Sequence, residues 1–306
     1  MPDFNWNDLK SFLAVARTGK LTTAARSLGA DHATVSRRLV SLEEAMHVRL
    51  FERHPTGYTL TAQGERLLPL AESMESVALT AYAELANSNL SVSGAVRIGS
   101  PDGFGSYFLA PRIGDLCRQH PALEVQLIAM PRIFSLSKRE ADIAIGLARP
   151  QEGRLSARKL TDYHLRLYAS RSYLEEAPEI RHVDDLARHK FVGYIDDLLY
   201  APELDYISAV GAIDPQIKST NLIAQLKATV AGAGLCILPC FIARAEPELV
   251  PVLPDEVSLT RSFWLIIHED LRRLARISAT ADFIVEAVQK ARGEFMPQRV
   301  AQDAVP

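Results

Sequence analysis

Apolar residues recur at intervals of three and four along the first 86 residues, a spacing that predicts consecutive amphipathic helices. The first helix is predicted over residues 7–18 and ends at Gly19. Two shorter helices follow within residues 21–46, and Gly29-Ala30-Asp31 separates them. Their apolar faces consist of Ala24, Ala25 and Leu28 in the first and Val35, Leu39 and Leu42 in the second. This pattern predicts two helices joined by a tight turn.

The next segment predicts a two-stranded ribbon and then a long helix. Residues 49–61 contain a short strand at Leu50 and Phe51, a turn over 54–57 and a returning strand from Tyr58 to Leu60. The long helix is predicted from Thr61 to about Ala86, with one apolar stripe formed by Leu67, Leu70, Ala71, Met74, Val77, Ala78, Ala81 and Leu85. A small domain cannot bury a stripe of this length, so we expect it to pack against a second copy of the chain. Packing against the C-terminal part of the chain is the alternative.

Beyond a polar hinge at residues 87–94, strand patterns alternate with helix patterns. Strands are predicted at 95–100, 123–129, 141–147, 165–170, 191–195, 216–220, 235–239 and 263–268. Helices are predicted at 106–118, 171–176, 184–189, 221–231, 239–245 and 272–291. Alternation of this kind is typical of parallel α/β sheets, and eight strands indicate two subdomains.

Charge and cysteine content narrow the class of protein. The net charge of −3 argues by itself against nucleic-acid binding, but residues 1–66 hold nine Lys/Arg against seven Asp/Glu. Three cysteines, Cys117, Cys236 and Cys240, lie in apolar settings, which indicates a reducing compartment. No signal peptide pattern is seen, and the longest apolar run, 228–243, is too short for a membrane span. We therefore expect a cytoplasmic protein with no membrane association.

The second helix of the pair has the chemistry of a DNA-reading element. Asp31 is expected to cap it by accepting from the N–H of Ala33 or Thr34. The polar face carries basic and hydroxyl-bearing residues that suit a major groove, and the ribbon tip adds two more candidates; the set is His32, Thr34, Ser36, Arg37, Arg38, Arg53 and His54. We expect His32 and Thr34 to meet base edges and Ser36 to bind a phosphate. An alanine-rich helical hairpin in an ordinary core remains the alternative.

Together these segments resemble the LysR-type transcriptional regulators of bacteria over nearly the whole chain. The N-terminal matches are Phe12, Val15-Ala16, Gly19, Leu21-Thr22, Ala24-Ala25, Leu28, Val35-Ser36-Arg37, Leu39, Leu42-Glu43, Arg49-Leu50-Phe51, Arg53, Leu60-Thr61 and Gly64. Looser matches in the second half are Gly94, Val96-Arg97-Ile98-Gly99, Asp142, Ala144-Ile145-Gly146, Val230-Ala231-Gly232, Gly234-Leu235 and Ile237-Leu238-Pro239. The chain departs from many relatives at Asp31-His32-Ala33 and Arg38, where they carry Ser-Gln-Pro and Gln, so operator preference is not transferable.

The resemblance implies a fold and a set of partners. It implies an N-terminal all-α winged helix-turn-helix over 1–60, a linker and dimerisation helix with hinge over 61–90, and a flexible tail over 293–306. Residues 91–292 would form an α/β effector domain built like a two-lobed periplasmic binding protein, with lobe I at 92–162 and 269–292 and lobe II at 163–268. The chain would cross between the lobes near Asp162 and near His268. The implied partners are a double-stranded DNA operator, a small-molecule effector and further copies of the chain, as a homodimer and a homotetramer.

Effector residues are expected at the carboxyl ends of the strands, where parallel sheets bind ligands. These positions are Ser100, Asp102, Pro131, Gly146 and Leu147 in one lobe and Asp196, Thr220 and Asn221 in the other. Free N–H groups at the Ser100 turn suit a carboxylate. Asp102 and Asp196 instead favour a ligand with an amine or several hydroxyls, unless each acid only caps a helix or lies in a solvated loop.

Two other functions compete with this interpretation. An α/β enzyme is disfavoured because the sequence holds no G-x-S-x-G elbow, Walker-type loop, H-E-x-x-H or paired Cys/His metal spacing, and the glycines of 99–105 lack dinucleotide-loop spacing. No catalytic residue, metal or cofactor is expected. A thiol-redox regulator would use Cys236 and Cys240, but the only nearby cation is Arg244, so we expect buried structural thiols.

Overall fold

A computed structural model describes residues 5–86, 92–136, 140–211 and 213–297 of the chain. It contains two compact units, Met1–Ser88 and Asn89–Pro306. In the described part, no helix is both long and apolar enough to cross a membrane.

The N-terminal unit is helical with a small β-ribbon. Its elements are α1 (Trp6–Thr18), α2 (Leu21–Ser27), α3 (His32–Met46), β1 (Phe51–His54), β2 (Gly57–Leu60) and α4 (Ala62–Ala86). The predicted apolar faces of the first three helices meet in one core, which includes Leu9, Phe12, Ala24, Val35, Leu39 and Leu42. Antiparallel pairing of β1 with β2 confirms the predicted ribbon, which is the wing of a winged helix-turn-helix.

Two glycines allow close backbone contacts in this unit. Gly57 has a φ of +149°, and a Cβ there would lie 2.4 Å from the carbonyl oxygen of Gly19. The neighbouring Tyr58 N–H donates to that oxygen at 2.8 Å, so the wing is attached to the end of α1. At Gly64, a Cβ would lie 2.2 Å from the Leu50 carbonyl oxygen. The start of α4 is therefore held directly against β1.

The C-terminal unit contains nine strands among its described residues. They are β3 (Gly94–Ser100), β4 (Leu123–Ala129), β5 (Ile143–Gly146), β6 (Leu155–Ser170), β7 (Val192–Gly193), β8 (Ile217–Lys218), β9 (Cys236–Pro239), β10 (Leu249–Val252) and β11 (Ser258–His268). The helices are α5 (Ala110–Gln119), α6 (Arg171–Glu176), α7 (Leu222–Val230), α8 (Cys240–Ala243), α9 (Ala275–Lys290) and α10 (Arg292–Phe295). The segment Phe104–Leu109, predicted as α-helix in part, is π-helical and leads into α5.

Seven of these strands form one sheet in the order β10-β6-β11-β5-β3-β4, with β9 also paired to β6. The sheet is mixed and not parallel as predicted: among the described strands, β4, β3 and β5 run parallel, as do β7 and β8, whereas β6 pairs antiparallel with β9, β10 and β11. The long strands β6 and β11 are antiparallel and join both halves of the unit in a curled, two-lobed sheet. The register between them shifts at Phe263 and Trp264, opposite the region of Asp162. The lobe boundaries given above stay predictions.

An aromatic cluster fills the core beside this sheet. Tyr163 stacks on Phe263 with ring centroids 4.2 Å apart, and Phe104 lies 4.7 Å from Phe263. Phe295 also packs into the cluster, 4.9 Å from Phe241, and is fully buried. This corrects the prediction that the flexible tail starts at residue 293; residues 298–306 of that predicted tail lie outside the described residues.

Candidate nucleic-acid interface and ligand cleft

The first turn of α3 is built around Asp31. The Thr34 N–H donates to Asp31 Oδ1 at 2.7 Å, and the Thr34 hydroxyl donates to Asp31 Oδ2 at 2.7 Å. These hydrogen bonds, led by that of the hydroxyl, lower the pKa of Asp31. The predicted N-cap is confirmed, with Thr34 rather than Ala33 as the donor. The cap stabilises the first turn of α3.

Thr34 also connects Asp31 to Arg37. Arg37 Nη2 donates to the Thr34 hydroxyl oxygen at 3.2 Å, so the three side chains form one exposed network along the first turns of α3. His32 is exposed beside this network, while Ser36 and Arg38 are half-buried. A Thr34 that reads a base would therefore have to exchange one of these hydrogen bonds.

The wing places its two predicted residues at the surface. His54 Nε2 lies 3.1 Å from the Thr59 hydroxyl and 3.5 Å from Glu52 Oε2. The Arg53 guanidinium lies 5.9 Å from the centre of the Tyr58 ring and 3.9 Å from Glu43 Oε2. Both side chains are exposed, as a contact with DNA requires.

Glu43 joins α3 to the wing, a role that was not predicted although Glu43 is one of the positions that resemble the family. Its buried carboxylate accepts from the backbone N–H of Leu50 at 2.7 Å and of Phe51 at 3.2 Å. The available signal was its position next to Leu42, which places an acid at the edge of an apolar stripe. Its role is positional, because it fixes the angle between α3 and β1.

The linker helix α4 carries an apolar stripe that this unit leaves uncovered. Ala71 is fully buried against the N-terminal core, but Leu70, Met74 and Val77 are 63%, 44% and 69% exposed. On another face, Arg17 of α1 binds the Glu75 carboxylate through both terminal nitrogens at 3.1 and 2.7 Å. The helix is thus fixed to the winged unit on one side and apolar on the other. Leu85, also predicted in the stripe, lies outside the residues whose side chains are described.

In the C-terminal unit, Asp102 bridges two distant parts of the chain. Its Oδ2 accepts from the N–H of Leu222, the first residue of α7, at 2.7 Å, and its Oδ1 accepts from its neighbour Gly103 at 3.0 Å. The carboxylate is buried, and burial raises its pKa even though these hydrogen bonds act in the opposite direction. Burial, together with the charge of Asp102, raises the pKa of Tyr194 and of Tyr200.

The predicted effector residues divide into several groups around this bridge. Ser100 is fully buried, and its hydroxyl donates to the Pro101 carbonyl at 2.9 Å, while Asn221 caps α7 by accepting from Ala224 N–H at 2.9 Å. Thr220 is half-buried just before that cap. Asp196 is exposed and pairs with Lys218 at 3.1 Å, as expected for a surface ion pair. These groups do not converge on one open ligand site.

A cavity of about 340 Å³ lies beside this region, and it contains the predicted Gly146 and Leu147. Pro131 is half-buried next to it, since the adjacent Arg132 and Ile133 are among its lining residues. The other walls come from strands and turns that lie far apart in the chain, so no local pattern pointed to them; they include Phe134, Arg149, Tyr200, Glu203 and Ile266. The walls are mostly apolar with a few polar and charged groups among them, which is typical of a small-molecule site.

Cys236 and Cys240, the pair that a redox regulator would use, are both buried. Burial raises the pKa of Cys236 to about 12 and also raises that of Cys240. A thiol held protonated in this way is a poor nucleophile. Within the described ranges, no three His, Cys, Asp or Glu side chains are grouped so that they could hold a metal ion.

A winged helix-turn-helix joined through a long helix to a two-lobed α/β unit with an internal cleft defines a ligand-responsive DNA-binding protein. Residues 6–65 match the family model described as "Bacterial regulatory helix-turn-helix protein, lysR family", and residues 90–289 match that of the "LysR substrate binding domain". The chain therefore belongs to the LysR family of transcriptional regulators. It is a DNA-binding transcription regulator with an effector-binding domain.

Individual relatives agree with this assignment. The chain is similar to the HTH-type transcriptional regulator PtxR of Pseudomonas aeruginosa, with 28% identity over 82% of each chain. Its fold is similar to that of CrgA from Neisseria meningitidis, with a TM-score of 0.59, 24% identity and coverage of 94% of this chain and 99% of that chain. The fold of LysG from Corynebacterium glutamicum, described with bound effector Arg, is also similar, with a TM-score of 0.62, 17% identity and coverage of 94% and 99%.

Proposed function

We propose that the chain reads a double-stranded operator with His32, Thr34, Ser36, Arg37 and Arg38 of α3 and contacts phosphates with Arg53 and His54 of the wing. The observation that carries this proposal is the exposed Asp31–Thr34–Arg37 network at the start of a capped helix. A helix N-terminus with exposed cationic and hydroxyl groups suits both base edges and phosphates. The protein acts where the chromosome lies, in the bacterial cytoplasm.

The second part of the proposal concerns assembly and control. Two chains pair through the stripe of Leu70, Met74 and Val77 on α4, since pairing covers that surface and presents two recognition helices to two half-sites. Dimers associate further into a homotetramer. A small-molecule effector binds between the lobes in the cavity near Gly146 and Leu147, closes them and changes the bend of the bound DNA.

The division of roles on α3 is tested by two alanine variants of the full chain in gel-shift titrations on the DNA upstream of its own gene. Arg37→Ala is expected to weaken binding to all sequences and to reduce the salt slope by about one unit per lost phosphate contact, hence about two in a dimer. His32→Ala is expected mainly to relax the preference for operator over random DNA. Arg118→Ala, an exposed arginine of α5 in the other unit, is the matched control. Equal losses on all sequences in both α3 variants would contradict these roles.

A further inference from the structure

The cavity beside Gly146 has the size and surface of a site for a ring. A dry apolar cavity of about 150 Å³ holds benzene, so about 340 Å³ accommodates a ring with a short side chain. Phe134, Ala144 and Ile266 belong both to its wall and to a buried hydrophobic cluster. This wall is therefore buried and apolar, and it favours an apolar ligand body through the hydrophobic effect.

Backbone N–H groups at the start of α7 and at Gly103 could bind an anion, but Asp102 of the protein already accepts from them. The first N–H of α7 and the N–H of Gly103 are donors that suit a carboxylate, and both donate to Asp102. A ligand carboxylate there would also meet the charge of Asp102 in a buried setting, where like charges repel strongly. These two N–H groups are therefore not open to the anion that was expected near Ser100.

Arg149 is the cation that the cavity offers instead. It lines the cavity, its side chain is exposed, and it makes no hydrogen bond or ion pair with any residue in the described ranges. Arg132, the other lining arginine, is engaged, because its guanidinium lies 3.4 Å from Glu140 and 4.7 Å from the centre of the Phe134 ring. A planar guanidinium without a partner at the edge of an apolar cavity suits a carboxylate, which it can bind through two parallel hydrogen bonds.

Resting on the proposed function, in which this cleft holds the effector, we propose that the effector combines an apolar, ring-sized body with one anionic group, and that Arg149 binds the anion. The Tyr200 hydroxyl, which stays protonated because burial raises its pKa, is a neutral donor in the same wall. Glu203 also lines the cavity, and its negative charge disfavours a second anionic group on the ligand. Asp102 excludes small dicarboxylates from the turn of α7 in the same way.

The fluorescence of Trp264 can report the binding of a ligand in this cavity. Trp264 packs against the cluster of Phe134, Ala144 and Ile266, and the only other tryptophan is Trp6, in the N-terminal unit. In the full-length Trp6→Phe variant, tryptophan emission therefore comes from Trp264 alone. The probes for titration are 3-phenylpropionate, its primary amide, 3-phenylpropylamine and acetate. The first three share an apolar body and differ in the head group, which is an acid, an amide or an amine. Acetate has the carboxylate but lacks the apolar body.

We expect 3-phenylpropionate to change the Trp264 emission with saturation and to bind about tenfold more tightly than the amide, the gain of one charge-assisted contact. Acetate, which lacks the apolar body, is expected not to saturate in the same range. Arg149→Ala should reduce the affinity for the acid to that for the amide and leave the amide unchanged, and Arg149→Lys should restore part of the difference. Ala148→Phe, which fills the cavity from its exposed edge, should abolish binding of every ring probe, whereas Arg118→Ala should change nothing.

Three outcomes would overturn the proposal: equal affinities for acid and amide, tighter binding of the amine than of the acid, or no saturable change with any ring probe. Because the titrations contain no DNA, they separate the ligand class from the regulatory function. Expected binding without any effect of 3-phenylpropionate on the gel shift would leave the ligand class standing and count against effector control of DNA binding.

Discussion

Glu43 illustrates how a single buried side chain organises the DNA-binding unit. A carboxylate costs free energy to bury unless its oxygens are paired, and Glu43 is paired with two backbone N–H groups of the wing. Those N–H groups belong to the segment that leads into β1. The side chain thus satisfies the strand and fixes its direction relative to the recognition helix.

Glu43→Ala is expected to lower the free energy of unfolding by about 3 kcal/mol, since it leaves two buried donors unsatisfied. Urea denaturation of the full chain measures this change when the unfolding transition of the N-terminal unit is monitored. Glu43→Gln retains an acceptor oxygen, so its free energy of unfolding should fall clearly less than that of Glu43→Ala. The neighbouring Glu44→Ala, at an exposed position, is the control and should be neutral. A loss as large in the Glu44 variant would contradict the assigned role of Glu43.

Asp102 gives the stability of the C-terminal unit a defined dependence on pH. Because burial raises its pKa above the ordinary value of 3.8, the folded protein binds more protons than the unfolded chain between these two values. This contribution to stability is present at low pH and is lost as pH rises from 3.8 through the raised pKa. In the Asp102→Asn variant it is absent.

Urea denaturation at a series of pH values tests this dependence. The free energy of unfolding of the wild type should fall, relative to that of Asp102→Asn, as pH rises above 3.8. The exposed Asp197→Asn variant provides the matched control and should run parallel to the wild type. A wild-type curve that instead rises relative to Asp102→Asn would mean that the hydrogen bonds from Leu222 and Gly103 outweigh burial.

At the scale of elements, α4 stands out because it carries large apolar side chains that the N-terminal unit leaves exposed. Leu70, Met74 and Val77 would each contribute roughly 1.5–3 kcal/mol on full burial, yet all three are exposed. Helices of this length rarely leave such a stripe in water, which is the basis for the proposed homodimer.

Val77→Glu is expected to convert the dimer to monomer, because it places two carboxylates in the proposed interface. Light scattering after size-exclusion chromatography measures the mass, and circular dichroism checks that the helix content is unchanged. Ser41→Glu adds the same charge at an exposed position on α3, away from the α4 stripe, and should stay dimeric. A dimeric Val77→Glu protein would direct the search for the interface to another surface.

Elements also differ in how well the sequence predicts them. β4 and α6 have the bounds that were predicted, since each has a clear apolar pattern between turn residues. The first ten residues of β6 were missed, because charged residues such as Arg158, Lys159 and Asp162 interrupt its alternation. β10 was also missed, being four residues long with Pro251 inside; it pairs only at the edge of the sheet.

At the scale of the whole molecule, the burial of Cys236 and Cys240 argues against control through these two thiols. Peroxide attacks thiolates, and the pKa of Cys236 at about 12 leaves almost none at neutral pH. We expect brief treatment with hydrogen peroxide to leave the affinity for operator DNA unchanged in gel-shift titrations. Cys117 is the half-buried thiol, so Cys117→Ser is the control variant. A loss of affinity that persists in Cys117→Ser and is reversed by dithiothreitol would favour a redox-responsive regulator.

Local sequence patterns were enough to predict the elements of the DNA-binding unit and the family, because amphipathic periodicity, caps and turn residues act over a few positions of the chain. Asp31 as a cap and the apolar stripe of α4 are local features of this kind. The folded structure was needed to see where Glu43 binds, that Asp102 accepts from the first N–H of α7, and that Phe134, Arg149 and Tyr200 share one cavity. Those contacts join residues that lie far apart in the chain, and the antiparallel course of β6 and β11, which no local pattern encodes, brings the two lobes together.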